Sequence, residues 1–229
     1  MKGNAVHRFV IDPALSAPDA VAVTDALSGA TTSRNELLEG SQLAARILLS
    51  RGVVAEQRIF MCCADTSAFL MWFWGAMWIG AVPVPVSTML TEKDYNFLLE
   101  DSRAVGAVFS PDFQKVVTSA AKEQPFLRWS QMDNDFEISG EGIETPGPYP
   151  AVEDDVAFWL YTSGSTGTPK GVIHHQSDLI QTAYLYGDQV LGIRPNDRVF
   201  SAAKLFFAYG LGNAMTFPLH VGACAALLA

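Results

Sequence analysis

The sequence predicts an α/β fold arranged as two lobes of parallel and mixed sheet flanked by helices. Apolar residues recur at helical spacing in some segments and as short continuous runs in others, in alternation along the chain. A Pro/Gly-rich stretch then divides this alternating part from a second, smaller one. About half of the 229 residues are apolar, enough for one large core or two smaller lobes.

Ser33–Arg51 carries Leu37, Leu38, Leu43, Ile47 and Leu48 on a helical period, with Ser33 and Glu36 placed as a capping box and Gly52 as a stop. Arg58–Cys63 reads as an apolar strand. Ala68–Val82 is uncharged, and with Pro83–Val86 it approaches the length of a bilayer span. The cap Asp65-Thr66-Ser67, the stop at Gly80 and the two prolines beyond it predict instead a buried helix over 66–79 and a strand at Val82–Val86. Glu92–Asp101 places Tyr95, Leu98 and Leu99 on one helix face, and Gly106–Phe109 reads as the next strand. Such alternation predicts right-handed crossovers and a largely parallel sheet. Residues 1–138 form the expected first lobe. Ser139–Pro150 holds three prolines and three glycines, so 139–153 is expected to be a surface linker. The second lobe, 154–229, holds a strand at Val156–Leu160, a helix over 177–191, a strand at Arg198–Ala202 and a closing apolar run. No internal repeat is present.

Charge and cysteine usage narrow the function. The net charge is −9 and Lys and Arg are scattered, which argues against a nucleic-acid binder. Cys62, Cys63 and Cys224 have neither disulfide-framework nor CxxC spacing and read as reduced core residues. The N-terminus lacks the apolar core of a signal peptide. Together these features predict a cytoplasmic enzyme. His174-His175 are adjacent on a strand exit and point to opposite sides, so they are not expected to share a metal ion. Asp154-Asp155 reads as the solvated start of a strand for the same reason.

Two clusters carry chemistry. Tyr161–Gly171 (Tyr-Thr-Ser-Gly-Ser-Thr-Gly-Thr-Pro-Lys-Gly) concentrates Gly164, Gly167 and Gly171, the hydroxyls of Thr162, Ser163, Ser165, Thr166 and Thr168, and Lys170. Glycines let backbone N–H groups approach a ligand, hydroxyls add donors, and the lysine adds a mobile positive charge. That combination is a phosphate cradle, although Pro169-Lys170-Gly171 is not the Walker order. The second cluster is Lys204–Asn213 (Lys-Leu-Phe-Phe-Ala-Tyr-Gly-Leu-Gly-Asn), whose aromatics beside glycines suit either a core or a wall for a flat apolar ligand.

The loop resembles the phosphate-binding motif of the adenylate-forming superfamily: acyl- and aryl-CoA ligases, luciferases and peptide-synthetase adenylation domains. The aromatic cluster, with Ala81–Val86 and Tyr95…Ser102, is especially similar to benzoate-CoA ligases and their hydroxy- and aminobenzoate relatives. Met1–Ala30 is only loosely similar. The resemblance implies the fold of the superfamily's large N-terminal domain, truncated, and an ATP-dependent activation of an aromatic carboxylate to acyl-AMP and then acyl-CoA. It implies that Thr162–Gly171 grips the β- and γ-phosphates of ATP with Mg²⁺ bridging their oxygens. Phe207 would then gate substrate from nucleotide, and Ala208, Tyr209 and Gly210 would line the aryl pocket. Expected partners are an aromatic carboxylate, ATP and coenzyme A, with no nucleic acid and no membrane; a homodimer is the assembly to test. The superfamily's Tyr/Ser-x-Thr-Glu motif, ribose-binding aspartate, hinge and catalytic lysine have no counterpart in 1–229. With the apolar closing run Gly222–Ala229, this leads to the expectation of an N-terminal fragment, inactive alone. Alternative readings are an adenylation domain, a fatty acyl-CoA ligase and a non-catalytic nucleotide-binding fragment.

Overall fold

The computed structural model describes residues 3–136, 144–163 and 167–229, with Ser163 described by its backbone alone. After a wide helical turn at His7–Ile11, the first half of the chain runs α1 (Asp12–Ser16), β1 (Val21–Asp25), β2 (Thr31–Ser33), α2 (Arg34–Ser50), β3 (Arg58–Cys62), α3 (Ser67–Trp78) and β4 (Val82–Pro85). It continues through α4 (Glu92–Ser102), β5 (Gly106–Phe109), α5 (Gln114–Ala121) and β6 (Trp129–Met132). Then come β7 (Val156–Ser163), β8 (Pro169–His175), α6 (Gln176–Thr182), β9 (Arg198–Phe200), α7 (Ala208–Leu211), α8 (Phe217–Val221) and β10 (Cys224–Leu227).

Local signals place most of these elements. The Ser33 hydroxyl accepts from the Glu36 N–H at 3.1 Å, while the Glu36 carboxylate accepts from the Ser33 N–H, so the capping box is complete. The same device starts α4 at Thr91, reciprocated by Asp94. α3 is buried on every side, as its uncharged sequence requires, and Gly80 with φ 74° closes it. Among the described residues no helix is long and apolar enough to cross a membrane. The helix expected over 177–191 divides into α6 and a wider π-helical turn at Ala183–Asp188.

Three sheets appear among the described residues. One has the parallel order β4-β3-β5-β6, as the alternation predicts. A second has the order β2-β1-β10-β9, in which β1 pairs in parallel with β10, Val23 opposite Ala225. This pairing crosses the expected chain-order division into 1–138 and 154–229. Apolar runs mark each strand, but a parallel partner is set by the tertiary fold and lies roughly 200 positions away here. β7 and β8 form a separate antiparallel hairpin. One large core lies under α2, α3 and the β1 sheet, and a smaller one lies around Phe60, Tyr95 and Phe109.

The described part of the expected linker, 144–153, is without regular structure but tied down. The Trp78 indole N–H donates to the Pro146 carbonyl at 2.8 Å, and the Tyr149 N–H donates to the Trp78 carbonyl at 2.8 Å. Residues 139–143 lie outside the described residues. Cys62 and Cys63 are buried free thiols, and burial pushes both upward in pKa, Cys62 to about 11. Cys224 is only half-buried; its thiol lies 3.2 Å from the Thr24 hydroxyl.

Candidate phosphate loop and aryl wall

Val156–Leu160 is an apolar run that forms the first strand of the antiparallel β7–β8 hairpin. Thr162 stands opposite Lys170 in the register, Tyr161 opposite Gly171 and Ser163 opposite Pro169. The legs of the loop therefore place the first hydroxyl and the lysine side by side. Thr162, Thr168, Lys170 and Gly171 are exposed, and Gly167 takes a positive φ of 81°. Gly164, Ser165 and Thr166 lie outside the described residues, as does the Ser163 side chain.

Phe158 and Leu160 on one face of β7 turn into the large core. Phe158 stacks on His174 with ring centroids 4.4 Å apart and an interplanar angle of 4°. Burial lowers the His174 pKa against the opposing pull of Asp178, which favours a neutral ring. His175 is exposed, and its backbone N–H donates to the Asp178 carboxylate at 2.8 Å. Asp155 closes a local turn by accepting from the Val152 N–H at 2.9 Å. Among the described residues no three His, Cys, Asp or Glu side chains form a group that could hold a metal ion.

The aromatic cluster splits by burial. Leu205 and Phe206 are buried, while Phe207, Ala208 and Tyr209 are exposed along the start of α7. Phe206 and Phe207 contact each other with centroids 4.6 Å apart. Gly210 has a different task from its three neighbours. It is buried, and a Cβ there would lie 2.0 Å from the Lys204 carbonyl oxygen. Its absent side chain lets α7 fold back on 203–204, so its contribution is backbone spacing behind the wall.

Ala208 links the aromatic stretch to the strands of the β7–β8 hairpin. It lines a cleft of ≈ 140 Å³ together with Phe158 and Leu160 of β7, His174 of β8 and Thr216. A larger cleft of ≈ 550 Å³ between the N-terminal turn and α6, lined by Arg8, Tyr184 and His220, contains no residue of either cluster. The smaller cleft is the one that the hairpin and the aromatic stretch share.

The sequence profile of the AMP-binding enzyme family matches residues 12–229. The chain belongs to the AMP-binding enzyme family. Among curated members it is 41% identical over 208 residues to the benzoate–CoA ligase of Thauera aromatica, covering 88% of this chain and 40% of that protein. It is 41% identical over 206 residues to the 4-hydroxybenzoate–CoA/benzoate–CoA ligase of Rhodopseudomonas palustris, covering 85% of this chain and 38% of that protein. Among solved structures, a benzoate CoA ligase from Burkholderia xenovorans LB400 superposes with a TM-score of 0.86 at 35% identity, over 100% of this chain and 46% of that one. The anthranilate CoA ligase AuaEII, in complex with anthranoyl-AMP, gives 0.88 at 26% identity, over 98% of this chain and 44% of that one. The chain of this AMP-binding family member thus spans about two fifths of the curated relatives it matches. The mixed α/β fold with sheets flanked by helices is that of the aligned part of these structures.

Sequence reasoning misses one residue that holds the wall. The sequence pattern reads Asp65-Thr66-Ser67 as the cap of α3, and Thr66 is its N-cap, although its side chain makes no capping bond. The Asp65 carboxylate, 4% exposed, instead accepts from the Leu205 N–H at 3.1 Å, 140 positions away. A lone acid between a buried strand and an uncharged helix is the available signal, because a buried carboxylate needs a donor.

Burial raises the Asp65 pKa to about 6, opposed by the Leu205 N–H and by Lys204. Because the folded value lies above the unfolded one, the folded state binds the extra proton between about pH 4 and 6, and the stabilisation it gives is lost as pH rises through 6. Asp65→Asn keeps an acceptor for Leu205 and cannot ionise. Its stability relative to wild type should therefore improve by about 2 kcal/mol between pH 4 and 7. Thermal denaturation at several pH values checks this; a difference that is flat with pH, or that favours wild type more as pH rises, would count against the buried carboxylate.

Proposed function

We propose that this chain is part of an AMP-forming aryl-CoA ligase that activates a benzoate-like carboxylate with ATP and passes the acyl group to coenzyme A. The observation that carries the reading is the shared cleft: Ala208 of the aromatic stretch lines it together with Phe158, Leu160 and His174, on the strands of the hairpin whose loop bears Lys170. The benzoate-CoA ligase relatives support the choice of an aromatic acid.

In the proposed first step a carboxylate oxygen attacks the α-phosphorus of ATP. The bond from that phosphorus to the bridging oxygen breaks, and pyrophosphate leaves with the electron pair. Carboxylate and ATP are both anionic, so the step needs alignment and charge neutralisation more than proton transfer. Thr162–Gly171 would hold the β- and γ-phosphates through hydroxyls and backbone N–H groups, and Lys170 would offset the charge gathering on the leaving group. In the second step the coenzyme A thiol gives its proton to solvent, its sulfur bonds to the acyl carbon, and the acyl C–O bond breaks so that AMP leaves with the electron pair. Among the described residues no group of three His, Cys, Asp or Glu side chains is placed to hold the Mg²⁺ that the family implies. Phe207 and Tyr209 would flank the ring, with Ala208 leaving room for it.

Lys170→Ala in the complete ligase should lower kcat/KM for MgATP by roughly ten- to hundredfold, the scale of a charge-assisted contact, with the KM for benzoate nearly unchanged. Unaltered ATP kinetics in a steady-state assay would remove Lys170 from the reaction. Ala208→Leu adds three carbons beside the ring, and overpacking costs about 1–3 kcal/mol. It should depress kcat/KM for benzoate more than for a short aliphatic acid, which can fold away from the intrusion. An equal penalty on both acids would refute the aryl-wall assignment.

A further inference from the structure

Among the described residues the β7–β8 hairpin shares no strand pairing with either four-stranded sheet, so side chains must fix where its loop points. Phe158 and Leu160 anchor one face in the large core. The opposite face carries Trp159 and Tyr161, packed against the smaller core. The Arg58 guanidinium lies over the Trp159 ring, 5.6 Å from its centroid. The Tyr161 hydroxyl donates to the Asp101 carboxylate at 2.6 Å, across 60 positions of sequence.

Tyr161 immediately precedes Thr162 and stands opposite Gly171, the residue after Lys170. A Cβ at Gly171 would lie 3.3 Å from the Trp159 ring and 3.6 Å from the Tyr161 ring, so the glycine leaves both rings room to lie across the hairpin. Asp101 sits in the last turn of α4, beside Ser102, whose carbonyl accepts from the Arg58 guanidinium at 2.8 Å. Its place there lets its carboxylate reach Tyr161.

We infer that Asp101 and Tyr161 are a positioning pair for ATP: their hydrogen bond ties the base of the phosphate loop to α4 and sets where Thr162 and Lys170 meet the leaving pyrophosphate. Neither side chain is assigned contact with substrate; both act through the loop. The inference rests on the proposed role of Thr162–Gly171. Desolvation, and then the bond to Asp101, keep the Tyr161 hydroxyl protonated well above its usual range, so it remains a donor at any working pH.

A double-mutant cycle in the complete ligase tests the pair. Tyr161→Phe and Asp101→Ala should each raise the KM for MgATP or lower kcat/KM for it by about five- to tenfold, the scale of one hydrogen bond to a charged group. The double variant should be little worse than either single one. Asp101→Asn, which keeps an acceptor for the hydroxyl, should recover most of the loss, and the KM for benzoate should stay within about twofold. Additive losses, equal losses toward both substrates, or unchanged ATP kinetics would overturn the pair. Lys170→Ala separates the two levels. If it impairs ATP use while the Tyr161 and Asp101 variants do not, the pair alone is wrong. If it too leaves ATP use intact, the loop assignment and the pair both fall.

Discussion

A two-stranded hairpin gains little from its own ladder, so the β7–β8 hairpin depends on β7 being gripped on both faces. Phe158 and Leu160 enter one core while Trp159 and Tyr161 lie on the other, as the period of two in a strand demands. This sandwiching fixes the two strands on either side of the Gly/Ser/Thr-rich segment. The apposition of Thr162 and Lys170 is a consequence of that register. So is the cleft that Phe158, Leu160 and His174 share with Ala208.

The wall facing the hairpin is held from an equally distant part of the chain. Asp65, at the end of the β3–α3 connection, accepts the Leu205 N–H, while Gly210 lets α7 close on the Lys204 carbonyl. β1 adds a third long-range tie through β10. These parts come from separate regions of sequence, and each is held by a specific polar contact or close approach as well as by general apolar burial. A buried carboxylate with one backbone donor is costly unless its geometry is kept, which makes Asp65 sensitive to displacement of either segment.

Local chemistry is legible in the sequence. The Ser33–Glu36 capping box, the uncharged α3 and the strands of the parallel sheet can be read because their signals lie within a few residues of one another. The loop and aromatic stretch can be found because unusual residue types are concentrated there. What stays hidden is non-local. Nothing in Val21–Asp25 indicates Cys224–Leu227 as its partner, and nothing in Asp65 or Asp101 names Leu205 or Tyr161. Gly210 reads as a pocket residue beside Tyr209, and the Lys204 carbonyl that closely approaches it has no local signal. The π-helical turn at Ala183–Asp188 likewise has no signal in an apolar pattern that reads as continuous helix.

On the proposed function, the hairpin loop would hold the phosphates of ATP while the aromatic stretch holds a flat carboxylate. The most direct measurement is carboxylate-dependent exchange of labelled pyrophosphate into ATP by the complete ligase, across benzoate, ring-substituted benzoates, octanoate and acetate. Exchange should be highest with benzoate or a ring-substituted benzoate and low with octanoate. Faster exchange with octanoate, or none with any aromatic acid, would contradict the proposed function.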